Sequence, residues 1–120
     1  MIGRKQLIVA ATLALTCGAA QAADLTELTA SEAAAAIRSG KISSTALVKA
    51  LIAKAKAGKG LNAFITLDET GALKAAAAAD AARKPDAKLG PLHGVPLAIK
   101  DNIHVAGLAN SAGTPALQGF

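Results

Sequence analysis

The feature that most constrains the fold is a short apolar run, residues 97–99, that ends directly in Lys100. Two turn-forming units precede it, and Pro96 suits the first residue of a strand, where no ladder N–H is needed. The run is too short for a stable helix, so the pattern predicts a buried strand. Lys100 then falls at the C-terminal end of that strand, where open α/β sheets place their ligands.

A lysine at such a position has two interpretations. In the first, the side chain extends its ammonium to water or pairs with a carboxylate such as Asp101. In the second, the lysine lies in a partly dry site, where an amine loses its proton more readily and can act as a base. A neutral amine can accept the proton of a serine hydroxyl, as in Ser-Lys variants of the catalytic triad. The residues alone leave both interpretations open.

The residues around Lys100 form a longer motif. Residues 90–102 read GPLHGVPLAIKDN, and residues 105–117 read VAGLANSAGTPAL. This stretch closely resembles the lysine motif of the amidase signature family. The resemblance implies that Lys100 is the general base of a Ser-cisSer-Lys triad in an amide-bond hydrolase. It also implies supporting roles, in loop geometry and hydrogen bonding rather than in chemistry, for Gly94, Pro96, Asp101 and Asn102.

The residues before the motif predict three helices and one further strand. Thr29 and Glu32 have the form of a capping box for a helix from Ala30 to about Ser39, with Gly40 as its stop. Ser43 or Ser44 can cap a second helix that ends near Gly58 and Gly60. Five of its residues make one apolar face: Leu47, Val48, Leu51, Ile52 and Ala55.

Residues 62–67 are mostly apolar and β-prone and predict a strand. Asp68 is a candidate cap for an alanine-rich helix from Glu69 to about Arg83. The order helix-helix-strand-helix-loop-strand is that of an α/β protein. The resemblance implies the N-terminal part of the family's α/β/α mixed-sheet fold, with an incomplete sheet. The alanine-rich apolar content and two strands with open edges predict poor stability in isolation.

Residues 1–22 have the pattern of a secretory signal peptide. Arg4 and Lys5 precede an apolar core over residues 7–18, and Ala20-Gln21-Ala22 fits the small-x-small cleavage pattern. The core is shorter than the roughly 18 apolar residues of a membrane span. We therefore expect cleavage before Ala23, a periplasmic or secreted location, and no stable membrane association afterwards. An uncleaved anchor and a lipid on Cys17 are the alternatives.

Composition argues against several classes of site. The formal charge is +5, and removal of Arg4 and Lys5 leaves +3, with two Phe and no Trp or Tyr to stack on bases. We therefore expect no nucleic-acid partner. Cys17 is the only cysteine, so the predicted mature chain needs no disulfide. His93 and His104 stand apart, so we expect no metal. The family resemblance implies no cofactor either.

The proposed chemistry needs residues beyond the lysine. In the family, both triad serines lie in a Gly- and Ser-rich segment well downstream of the lysine, and Ser111 does not match either of them. We therefore interpret residues 23–120 as the N-terminal fragment of an amidase-signature domain that acts on a small-molecule amide, inactive by itself. The alternatives are a non-catalytic exported binding module, a truncated gene product, or a cytoplasmic family member that makes amidated transfer RNA.

Overall fold

The computed structural model describes residues 24–117. Three α-helices carry its regular structure: α1 (Ala30–Arg38), α2 (Ser44–Ala57) and α3 (Glu69–Ala82). Short 3₁₀ turns lie at Leu25–Glu27, Lys59–Leu61 and Pro115–Leu117. The predicted signal peptide lies outside the described residues. Within the described part of the chain, no helix is long and apolar enough to span a membrane.

The helix starts follow the predicted capping residues. Thr29 and Glu32 form the complete capping box of α1, and the backbone at Gly40 has the positive φ of 77° that lets the chain turn away. At α2 the cap is Ser43, whose hydroxyl accepts from the Ala46 N–H at 3.0 Å. The Asp68 carboxylate caps α3 through the Gly71 N–H at 2.9 Å. All three caps satisfy amides that would otherwise lack a partner.

The core lies where α1 meets the start of α2. Ala33, Ile37 and Leu47 are buried together, and Val95 from the motif packs against them. Four partly buried side chains also pack against this apolar cluster: Leu25, Leu28, Ile42 and Leu51. On its other side, α2 packs against the alanine-rich α3. The motif thus joins this core through Val95.

The two predicted strands are wrong for the described residues. Residues 62–67 and 97–99 belong to no helix or strand, and no strand occurs between residues 24 and 117. The run expected to be buried is exposed instead, with Leu97 71% and Ile99 50% accessible. A strand exists only when its N–H and C=O groups pair with a neighbouring strand. No described residue supplies that ladder, so an α/β sheet is not confirmed here.

Candidate active site

The N-terminus of α2 is fixed by a carboxylate from α3. One Asp80 oxygen accepts the Ser44 N–H at 2.7 Å. The other accepts the Thr45 N–H at 3.0 Å and the Thr45 hydroxyl at 2.7 Å. Partial burial acts to raise the pKa of the Asp80 carboxyl, but hydrogen bonds from Thr45 and Ser44 and the nearby charge of Arg83 outweigh it and lower that pKa. An anion at a helix N-terminus also interacts favourably with the helix dipole.

The turn of residues 90–95 rests on this helix junction. The buried Ser44 hydroxyl donates to the Gly94 carbonyl at 2.5 Å. Arg38, at the end of α1, donates to the Pro91 carbonyl at 3.2 Å. The His93 ring donates through Nε2 to the Ala79 carbonyl at 2.8 Å, since a carbonyl can only accept. All three helices therefore hold the start of the motif.

Gly94 is required at its position by the backbone and by space. Its φ is 76°, in the left-handed region that side chains disfavour. A Cβ built there would lie 3.1 Å from the Ser44 Cβ and 3.3 Å from the Ile37 Cγ2. The predicted supporting role of Gly94 thus has a concrete basis, which is the close approach of the turn to α1 and α2.

Lys100 lies at a cavity of about 370 Å³ that is lined by residues 63–66 and by residues between 98 and 109. Its walls are mainly apolar and include Phe64, Ile99, Ile103 and Leu108. The Lys100 side chain is exposed, so the described residues alone do not create the partly dry site that a neutral lysine needs. The lysine also follows residues that belong to no strand. What the structure does provide is a partly apolar cavity whose polar lining includes Thr66, Lys100 and Asp101.

Asp101 closes the loop that follows Lys100. Its Oδ2 accepts the Ser111 N–H at 3.1 Å, the Ser111 hydroxyl at 2.7 Å and the Gly113 N–H at 3.1 Å. The Ser111 hydroxyl bond is the main cause that lowers the pKa of the Asp101 carboxyl, and partial burial opposes it. Asn110 and Ser111 are buried as a result of this closure. The geometry is of the kind expected for a residue that shapes the loop.

The remaining predicted residues are less constrained. Asn102 is exposed in the turn after Lys100, and Pro96 lines a second, larger groove of about 500 Å³. That groove is apolar and runs between α2, residues 61–67 and residues 96–98. Among residues 24–117, no group of three or more His, Cys, Asp or Glu side chains is placed to hold a metal ion. His93 instead has the ordinary loop role that its bond to Ala79 describes.

Sequence reasoning missed the roles of Asp80 and Ser44. Asp80 lies in the last turn of α3, where a negative charge is unfavourable for the dipole of its own helix. An acidic residue in that place, within an alanine-rich helix, was the available signal that it serves a partner elsewhere. Ser44 had no comparable signal, because two adjacent serines were equally good caps.

Comparison with known proteins gives the family. The family model described as Amidase matches residues 46–120. Mandelamide hydrolase of Pseudomonas putida is 46% identical over 101 residues, which cover 84% of this chain and 20% of that protein. A glutamyl-tRNA(Gln) amidotransferase subunit of Streptomyces coelicolor is 40% identical over 98 residues, covering 81% of this chain and 20% of that protein.

A mitochondrial relative extends the comparison to animals. The mitochondrial glutamyl-tRNA(Gln) amidotransferase subunit of Xenopus tropicalis is 43% identical over 89 residues, or 74% of this chain and 17% of that protein. The chain thus spans about a fifth of the length of the curated relatives it matches. No solved structure matches it. The motif around Lys100 and the match of the family model over residues 46–120 lead to one conclusion: this chain belongs to the amidase signature family.

Proposed function

We propose that this chain is the N-terminal part of an amide-bond hydrolase in which Lys100 is the general base. A serine Oγ attacks the amide carbonyl, a second serine relays the proton, and the neutral Lys100 amine accepts it. The relayed proton goes to the departing amine, and water then releases the acid from the acyl-enzyme. Both serines and the oxyanion-binding N–H groups come from outside these 120 residues, and no cofactor takes part.

The observation that carries this proposal is the place of Lys100 beside the cavity. The apolar part of this mixed cavity can receive the acyl part of a small amide, while the Lys100 amine in its lining would face the reacting atoms. The Asp101 loop directly after Lys100 gives that edge a defined shape. An ordinary surface lysine would need neither of these features. The dry setting of the amine would come from further residues of the domain, which close over the exposed cavity.

Two kinds of family member with different reactions match the chain, so a second function needs consideration. The amidotransferase subunits support amide transfer to glutamyl-tRNA(Gln), whereas mandelamide hydrolase supports release of the acyl group to water. The higher identity to mandelamide hydrolase, 46% against 40% and 43% for the two amidotransferase subunits, favours the hydrolase. The predicted signal peptide also favours it, because we propose that the mature protein is periplasmic or secreted. Turnover of simple amides without transfer RNA distinguishes the two functions.

The decisive experiment replaces Lys100 in the complete gene product that carries these residues. Lys100→Ala should lower the amidase rate by about 10²–10⁴-fold or more, as expected for loss of a general base. Lys100→Arg should be equally poor, because arginine stays protonated and cannot accept a proton. The exposed Lys88, just before the motif, provides the matched control Lys88→Arg, which should keep wild-type activity.

The outcomes separate the interpretations of the chain. Near-normal activity in folded Lys100→Arg would make the lysine a structural cation and remove the triad. Absence of amide turnover in the wild-type gene product would instead favour the non-catalytic binding module. Purified residues 23–120 should show no turnover in either case, because a base without a nucleophile forms no acyl-enzyme.

A further inference from the structure

The segment that leads to Lys100 is held at its start and not along its middle. Within the described part of the chain, residues 96–99 make no backbone–backbone hydrogen bond. The turn before them is held by Arg38, Ser44 and the Ala79 carbonyl. On the N-terminal side, the place of Lys100 therefore depends on how that turn is held, whereas the loop closed by Asp101 follows on the C-terminal side.

Ser44 has a hydroxyl that its own helix does not use. The cap of α2 is its neighbour Ser43, whereas Ser44 is 1% exposed and donates to the Gly94 carbonyl at 2.5 Å. A buried hydroxyl without an acceptor is unfavourable, so this bond fixes the side chain and the carbonyl against each other. Because Gly94 lacks a Cβ, the two backbones can approach closely enough to form it.

Asp80 in turn fixes Ser44. Its carboxylate accepts the Ser44 and Thr45 N–H groups and the Thr45 hydroxyl, so the first turn of α2 cannot shift without breaking three hydrogen bonds. Hydrogen bonds to an ionised acceptor are about twice as strong as neutral ones. The connection runs from α3 through the start of α2 to the turn before the lysine.

Residues 95–100 belong to no helix or strand, so a small change in the turn can become a larger one at the lysine. Six residues span at most about 20 Å when fully extended. A rotation of roughly 10° at Gly94 would therefore move the end of the segment by at most about 3 Å. A displacement of about 1 Å at a reacting group can lower a rate about 10²-fold.

We propose that Ser44, supported by Asp80, is a positioning residue for Lys100. The inference rests on the proposed function, in which Lys100 is the general base. Ser44 touches neither substrate nor Lys100; it holds the Gly94 carbonyl and so sets where the segment of residues 95–100 begins. Loss of its hydroxyl should then impair the chemical step more than substrate binding.

The test compares two adjacent serines in the complete gene product. Ser44→Ala removes the donor to the Gly94 carbonyl, whereas Ser43→Ala removes only the helix cap. Both variants make the same serine-to-alanine change at the start of α2. We expect Ser44→Ala to lower kcat about 10–100-fold with KM within about twofold of wild type. Ser43→Ala should lower Tm at least as much and leave kcat within about twofold of wild type.

A second background tests whether the effect passes through the lysine. In the Lys100→Ala background, Ser44→Ala should not lower the residual rate further, because Ser44 acts only by positioning a lysine that is no longer present. If Ser44→Ala does not fold, Asp80→Asn serves instead, and it should also lower kcat with KM unchanged. Wild-type kcat in the folded variant would overturn the inference, as would losses of kcat that follow Tm equally in Ser43→Ala and Ser44→Ala.

The same measurements keep this inference separate from the proposed function. Activity that survives Lys100→Arg overturns the proposed function and the positioning role together. An inactive Lys100→Arg beside a fully active Ser44→Ala overturns the positioning role alone.

Discussion

The Asp101 carboxylate and the Ser111 hydroxyl are joined by a hydrogen bond of 2.7 Å. The same carboxylate oxygen also accepts the backbone N–H groups of Ser111 and Gly113. A residue directly after the candidate base is thus tied to the far side of the loop that follows. These hydrogen bonds therefore link the conformation of the loop to the position of Lys100 in space.

Asp101→Ala should loosen residues 101–113 and speed their cleavage in limited proteolysis of the complete gene product, because three hydrogen bonds lose their acceptor. Asp101→Asn keeps one side-chain oxygen as an acceptor, so its cleavage rate should fall between those of Asp101→Ala and wild type. Asp86→Ala, which removes an exposed carboxylate before the motif, is the control and should leave cleavage unchanged. Equal cleavage in Asp101→Ala and wild type would show that the loop is held by other contacts.

The stability contributed by Asp80 should depend on pH. The pKa of this carboxyl is lower in the folded chain than its ordinary value of 3.8, so its contribution is complete above that value and is lost as pH falls through the folded pKa. The Tm difference between wild type and Asp80→Asn should therefore be constant above about pH 5 and shrink below about pH 4. A difference that stays constant down to about pH 2.5 would mean that the carboxylate charge plays no part.

Two glycines with positive φ provide a matched pair of alanine substitutions. Gly94→Ala and Gly107→Ala both force a side chain into the left-handed region, at about 1–2 kcal/mol. Only Gly94 also has neighbours at contact distance, whereas nothing lies within 4 Å of a Cβ at Gly107. Urea unfolding of the complete gene product should thus show a larger loss of unfolding free energy for Gly94→Ala than for Gly107→Ala. Equal losses would mean that the turn is not packed closely on Ser44 and Ile37.

The exported protein should begin at Ala23. Arg4 and Lys5, the apolar core and Ala20-Gln21-Ala22 together predict cleavage at that position. N-terminal sequencing of protein from the periplasm or medium checks it. A chain that still begins at Met1, or one with a lipid on Cys17, would contradict the prediction.

Local chemistry explains which parts of the fold the sequence could predict. The capping residues Thr29, Ser43 and Asp68 act on amides within three residues, so a local pattern contains the whole interaction. Residues 97–99 are different, because an extended segment becomes a strand only through pairing with distant residues. Their composition indicates a preference for a strand but does not supply a partner.

The candidate site divides in the same way. Lys100 and Asp101 could be named as candidates because they lie in one continuous motif that resembles a family. The support from Ser44 and Asp80 could not, because their bonds to Gly94 and to α2 join residues about 35–50 positions apart. Polar contacts between distant residues leave no periodicity or spacing in a single sequence.

The unequal support for the helices and the lysine segment has a consequence for assembly during synthesis. Helices α2 and α3 pack against each other and are closer in sequence than Ser44 is to its partner Gly94, so we expect their contacts to form before those of the turn. In pulse-labelling hydrogen exchange, we expect the helix amides to become protected first and the amides of residues 97–99 last. Until the lysine segment is covered, Leu61, Leu97 and Ile103 stay exposed to water and to other chains. The nascent protein would therefore be most prone to aggregation, and most dependent on chaperones, at the stage when its lysine segment is made but not yet covered.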